Sequence, residues 1–186
     1  GASSMKKVVM IISTEDFRDE ELFQPKDILE KNGIAVKVAS GSLKQAIGML
    51  GGTVKPDMLV TDINVRDFDA IIFVGGSGAS LYWDDPVAHK LAQEANSMGR
   101  VVAAICIAPV TLAKAGILKG KRATVFSSEG SLLAAEGANY TGRPVERDGN
   151  IITASGPSAA REFADEITKA VMDKQSSAHS AELNKP

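Results

Sequence analysis

Val101-Val102-Ala103-Ala104-Ile105-Cys106-Ile107-Ala108-Pro109 is a run of small and branched apolar residues that passes through a cysteine and ends on a proline. Continuous rather than alternating hydrophobicity indicates a strand buried on both faces, as in a parallel sheet. Proline is favoured at the first position of a helix, so a helix is expected to start within about two residues of Cys106. So short a passage from strand to helix forces a sharp turn with Cys106 on it. In an open parallel sheet the carboxyl ends of the strands line the ligand crevice, and a residue on such a turn projects into it. The helix N-terminus offers free N–H groups and positive potential, which favour a thiolate; Cys106 is therefore expected to titrate below the free-thiol value of about 8.5. Free cysteines are also among the most buried residue types, and Ala104 and Ala108 suit plain close packing. The run by itself leaves Cys106 as either a nucleophile or core filler.

Four further runs, Lys7–Ile12, Ala35–Ala39, Ala70–Val74 and Ile151–Ala154, have the same continuous apolar character. Helical spacing links them. Glu20–Asn32 carries Leu22, Ile28 and Leu29 on one face and stops at Gly33; Pro86–Met98 stops at Gly99; Pro109–Ala115 stops at Gly116; Ser158–Met172 is the last. Strands alternating with helices predict a flavodoxin-like α/β fold, a doubly wound and mostly parallel sheet with helices on both faces. Two stretches break the rhythm: Ser42–Val60, with four glycines or prolines among short extended pieces, and Val145–Ile152, with Asp148-Gly149 between strand-like runs. Both predict short antiparallel hairpins.

The chain has 186 residues, and its acidic and basic side chains nearly cancel at a formal charge of −2. One α/β domain over residues 5–172 is expected, after a tag remnant at 1–4 and before a frayed tail or short extra helix at 173–186. No Lys/Arg cluster interleaved with aromatics marks a nucleic-acid surface, and no apolar run approaches a membrane span. Lys6-Lys7 leads straight into a strand rather than a signal core, which points to the cytoplasm. One cysteine and two distant histidines, His89 and His179, form no metal pattern and no disulfide. No cofactor is called for.

The run Ala103-Ala104-Ile105-Cys106 followed by Pro109 resembles the nucleophile elbow of the ThiJ/PfpI superfamily, of class I glutamine amidotransferase-like fold. That superfamily includes intracellular proteases, glyoxalases, deglycases and a parkinsonism-associated redox protein. Phe68 to Gly76 resembles its strand ending in a Gly-Gly turn, Asp148 to Pro157 its late hairpin and loop, and Glu21-Leu22-Phe23-Gln24-Pro25 the segment that supplies a glutamate four residues before a proline. These pieces span about Lys6 to Met172 in order. The resemblance implies that Cys106 is the nucleophile, that Glu21 contacts it, and that the Gly76 and Ile107 amides form an oxyanion-type donor pair. Gly75 would allow close backbone approach, and Phe126 with Ser155, Gly156 and Pro157 would line the pocket. Asp16, Asp19 and Glu20 are expected to be solvated or to complement the helix dipole.

This chain departs from the family in ways that bear on chemistry. Family proteases carry a histidine directly after the cysteine, where Ile107 stands; the strand and loop after the elbow helix present Phe126 instead of a histidine; and Met49 and Leu50 stand where some relatives carry a basic residue. His89 and His179 are expected on the surface. Protonating an amine leaving group near neutrality normally needs a general acid of that kind, so peptidase activity is expected to be absent or weak. The reading is a cysteine-dependent enzyme, glyoxalase- or deglycase-like, acting on α-oxoaldehydes or early glycation adducts without glutathione. The alternative is a thiol redox sensor in which Cys106 is oxidised, with no resolving cysteine present. Relatives associate, which implies a homodimer or larger homo-oligomer.

Overall fold

The central sheet is built from the apolar runs picked out above. The computed structural model describes residues 5–183, with side chains through Asp173; residues 1–4, expected to be a tag remnant, lie outside the described residues. In chain order the strands are β1 Lys7–Ile11, β2 Glu15–Phe17, β3 Ala35–Ser40, β4 Ala46–Gly48, β5 Thr53–Val54, β6 Met58–Leu59, β7 Ala70–Phe73, β8 Val101–Ile105, β9 Arg122–Ala123, β10 Asn139–Tyr140, β11 Val145–Asp148 and β12 Ile151–Ala154. The α-helices are α1 Asp19–Lys31, α2 Pro86–Ser97, α3 Pro109–Lys114, α4 Gly130–Ala135 and α5 Ala160–Leu183.

Seven strands form the main sheet in the order β11-β12-β8-β7-β1-β3-β6. All neighbours are parallel except β11, which returns antiparallel to β12 across the turn at Asp148-Gly149. Gly149 adopts a left-handed φ of 63°, as that tight turn requires. Val8 to Ile11, Ala70 to Phe73 and Val101 to Ile105 are buried on both faces because helices cover both. One core packs α2, α3 and α4 side chains such as Leu91, Leu112 and Leu133 against Ile71 and Val102. The other packs Leu22 and Leu29 of α1 and Phe163 and Ile167 of α5 against Val8, Ile72 and Ala103.

The stretch Ser42–Val60 is only partly antiparallel. β4 and β5 form the expected hairpin, but β6 joins the edge of the main sheet parallel to β3. β4 also pairs in parallel with β2, a strand that its acidic sequence Glu15-Asp16 concealed. The last helix, expected to stop at Met172, continues to Leu183. Among the described residues, no helix is long and apolar enough to cross a membrane.

Candidate active site at the elbow

β8 delivers Cys106 to the carboxyl edge of the sheet. Its N–H donates to the Ala154 carbonyl at the end of β12, and its C=O accepts from the Phe126 N–H at 2.8 Å. Held on both sides, Cys106 sits at φ 66°, a left-handed conformation that costs an L-residue energy and persists only because its surroundings enforce it. The side chain is largely enclosed, with the residue 9% exposed.

α1 brings the partner. Glu21 is 0% exposed on the buried face of α1, beside Leu22 and Pro25. Pro25 lacks an N–H, so the ordinary helical bond to the Glu21 carbonyl cannot form, which gives the four-residue spacing a physical meaning. Neither carboxyl oxygen of Glu21 has a well-formed hydrogen bond. Its polar neighbours are the Cys106 thiol and the Gly75 amide.

The Gly-Gly turn after β7 closes the third side. A Cβ on Gly75 would overlap Glu21 Oε1 and stand 2.5 Å from Cys106 Cβ and 2.6 Å from the Ile105 carbonyl oxygen. Gly76, at φ 101°, takes a conformation that favours glycine, and a Cβ there would meet the backbone of Asp16 and Arg18. The Gly76 and Ile107 amides lie near the sulfur and favour its thiolate. Structure therefore brings Cys106, Glu21, Gly75, Gly76 and Ile107 to one point.

Phe126 is joined to Cys106 through its backbone; the residue is 42% exposed and its ring lies by Gly156, where an added Cβ would be 3.6 Å from it. Ser155 turns its N–H to the Pro144 carbonyl, and Pro157 opens the turn before α5. Among the described residues, no hydrogen bond ties Ser155 or Pro157 to Cys106 or Glu21. Met49 reaches the rim, where its sulfur accepts from the Ser77 N–H at 3.4 Å, while Leu50 is 65% exposed at the hairpin tip.

The electrostatics correct one expectation. Burial raises the Glu21 carboxyl to about 8, against smaller opposing effects from the thiol, the Gly75 amide and Arg18. Burial first, and an ionised Glu21 second, push the Cys106 thiol up against the pull of the Gly76 and Ile107 amides, leaving it at about 11. The expected depression by a helix N-terminus is overridden, because α3 has only six residues and the enclosure of the sulfur is invisible in sequence. Burial is the largest cause of both shifts, and the contact between the two groups couples their titrations. While Glu21 keeps its proton, it exerts no charge repulsion on the sulfur.

Three further residues make contacts that no local pattern announces. Asp19, expected to be solvated or to complement the helix dipole, lies in the first turn of α1 but is buried and accepts from the Leu50 and Gly52 N–H groups at 2.8 and 2.7 Å, fixing the β4–β5 hairpin beside α1. Arg18 donates its amide to the Gly75 carbonyl at 3.0 Å, and its guanidinium grips Glu20. His89, expected on the surface, is half-buried with Nε2 2.7 Å from the Trp83 carbonyl oxygen. An acid capping a hairpin across the sequence leaves no local pattern that could have revealed it. The side chain of His179 lies outside the described ones.

A strand, a strained cysteine and a helix start at the carboxyl edge of a doubly wound sheet define an α/β protein with a nucleophile elbow. The chain belongs to the DJ-1/PfpI family, whose pattern matches residues 6–170. It is 44% identical to an uncharacterized protein of Methanocaldococcus jannaschii, over 89% of this chain and 82% of that one. It is 30% identical to deglycase PfpI of Pyrococcus furiosus, over 80% of this chain and 90% of the relative. The crystal structure of a ThiJ/PfpI domain protein from Brachyspira murdochii superposes with a TM-score of 0.89 at 33% identity, covering 92% of this chain and 99% of that one. Further relatives are named glutathione-independent glyoxalase, from Caenorhabditis elegans, and putative cysteine protease, from Bacillus subtilis.

Proposed function

We propose that the protein is a cysteine-dependent enzyme acting on small electrophilic carbonyl compounds, α-oxoaldehydes or early glycation adducts, without glutathione. The observation that carries this reading is the buried Glu21 carboxyl beside the Cys106 thiol, with a pKa of about 8. A proton acceptor poised that close to the working pH is what general acid–base catalysis needs. The deglycase and glyoxalase names of relatives supply the substrate class.

In the addition step the thiol proton passes to the Glu21 carboxylate as Sγ bonds to the aldehyde carbon. The C=O electron pair moves onto oxygen, where the Gly76 and Ile107 amides receive the growing charge. Glu21 then returns the proton, leaving a neutral hemithioacetal. For an α-oxoaldehyde, moving the carbon-bound proton to the adjacent carbonyl carbon, and the hemithioacetal hydroxyl proton to that carbonyl's oxygen, gives a 2-hydroxy thioester, and water releases a 2-hydroxy acid and the free thiol. Glu21 is placed to carry that proton too.

Among the described side chains the protease reading lacks its base, since His89 is committed to Trp83 and the residue after the cysteine is Ile107. A redox-sensing role is favoured by one observation: Cys106 is the sole cysteine, so its sulfenate has no resolving partner in the chain. The deciding experiment is methylglyoxal turnover in the wild type and in Cys106→Ser, with mass spectrometry of Cys106 after mild peroxide. Turnover lost in Cys106→Ser supports the enzyme. Selective oxidation with no turnover sinks it in favour of the sensor.

A further inference from the structure

The single tryptophan, Trp83, takes no part in the chemistry above, yet its indole reaches the elbow. Trp83 Nε1 donates to the Ile107 carbonyl at 3.1 Å. That carbonyl also accepts from the Val110 N–H at 3.2 Å in the first turn of α3. Ile107 is the residue whose N–H faces the Cys106 sulfur. Trp83 therefore grips the residue that carries one of the two donors.

The other donor belongs to the same short stretch. Gly76 opens a 3-10 helix over Ser77–Tyr82, and Trp83 is its C-cap. This helix is anchored at its end by the Tyr82 hydroxyl, which donates to the Ile12 carbonyl at 2.8 Å. His89 Nε2 lies 2.7 Å from the Trp83 carbonyl, which can only accept, so the nitrogen there is protonated. Downstream contacts brace α3 as well: Lys114 pairs with Asp84 at 3.4 Å, and Gln93 Nε2 donates to the Ala115 carbonyl at 2.9 Å. Residues 76–93 thus hold the elbow helix at both ends.

We infer that Trp83 is a positioning residue of the elbow: its indole N–H fixes the Ile107 carbonyl, one peptide plane beyond the donor amide, so that residues 76–83 set the placement of both amides around Cys106. The indole is the only donor in this clamp contributed by a side chain to Ile107. The His89 bond holds the Trp83 backbone and thereby limits how far the indole can swing. As the only tryptophan, Trp83 also reports on the state of the sulfur two peptide planes away. The inference rests on the catalytic reading of Ile107, but its test does not depend on turnover.

The test uses Trp83→Phe, which keeps an aromatic ring and removes the N–H, together with the wild-type indole resonance. If Trp83 positions Ile107, the folded variant alkylates Cys106 with iodoacetamide about threefold to tenfold more slowly at fixed pH, the loss expected for one neutral hydrogen bond. The midpoint of thiolate absorbance at 240 nm moves upward in parallel. A purely packing role would lower thermal stability and leave both readouts unchanged, and that result in a folded variant overturns the inference. If Trp83→Phe does not fold, the wild-type protein decides. Its one indole N–H cross-peak should exchange slowly with solvent and move when Cys106 is alkylated, whereas a rapidly exchanging or unmoved peak overturns the inference. Failure of methylglyoxal turnover would sink the enzymatic reading while leaving these measurements intact.

Discussion

Glu21 lies fully buried beside the Cys106 thiol, with both carboxyl oxygens short of well-formed hydrogen bonds. The pair therefore loses its protons in sequence, and the first loss falls near 8. Reaction of Cys106 with a neutral electrophile should be slower than that of an unperturbed thiol near pH 7 and should still be rising at pH 9, because the thiol itself titrates near 11. Iodoacetamide rates measured from pH 6 to pH 9 check this, and a profile inflecting near the free-thiol pattern without Glu21 dependence would count against the pair.

Glu21→Gln removes the carboxylate charge and keeps an N–H donor. Its Cys106 thiol should titrate below the value of about 11 found with Glu21 present, because the like-charge repulsion has gone. Glu21→Leu also removes the charge but loses the donor, so its thiol should titrate above that of Glu21→Gln. Both variants should lose at least 100-fold in methylglyoxal turnover, roughly the contribution of one general base. More thiolate with less turnover in Glu21→Gln is the diagnostic combination. Unchanged turnover would remove Glu21 from the chemistry.

The same carboxyl makes stability depend on pH. Its folded pKa of about 8 stands above the ordinary 4.5, so the native state holds a proton that the unfolded chain releases. The stabilisation is complete below about pH 4.5 and is lost as pH rises toward 8. Each tenfold change in proton affinity is worth about 1.4 kcal/mol, so the loss amounts to a few kcal/mol. Urea unfolding across this window should show wild type weakening with rising pH and Glu21→Gln losing most of that slope.

Gly75→Ala places a Cβ against Glu21, Cys106 and the Ile105 carbonyl. Two of these neighbours are backbone or Cβ atoms that cannot rotate away. Overpacking of this kind costs typically about 1–3 kcal/mol, and relief by moving Glu21 would take its carboxyl off the sulfur. The variant should be destabilised by that order in urea and should lose turnover more than its stability loss accounts for.

Homodimerisation is expected to bury the apolar side chains left exposed on α1 and the β4–β5 hairpin, Phe23, Ile47, Met49 and Leu50. Sedimentation should give a mass of at least two chains at micromolar concentration, reduced toward one chain by Ile47→Glu. A monomeric wild type defeats this expectation.

The sequence by itself determined the parallel core and the elbow. Runs such as Val101–Ile105 are apolar on every residue because helices cover both faces, and that pattern is local. Gly149 and Pro109 marked turn and helix start for equally local reasons of φ and missing N–H. Pairing of Cys106 with Glu21 was legible only through family resemblance, since within α1 only the buried face and the N–H missing at Pro25 set Glu21 apart from Glu20. Tertiary structure alone decided the rest. Enclosure of the sulfur, which raises its pKa against the helix dipole, depends on β12, the Gly-Gly turn and α1 arriving at one point. The burial of Asp19 under the hairpin and the reach of Trp83 to Ile107 likewise join residues 24 or more positions apart. Burial and long-range hydrogen bonds are properties of the assembled fold, and short-range sequence patterns carry no record of them.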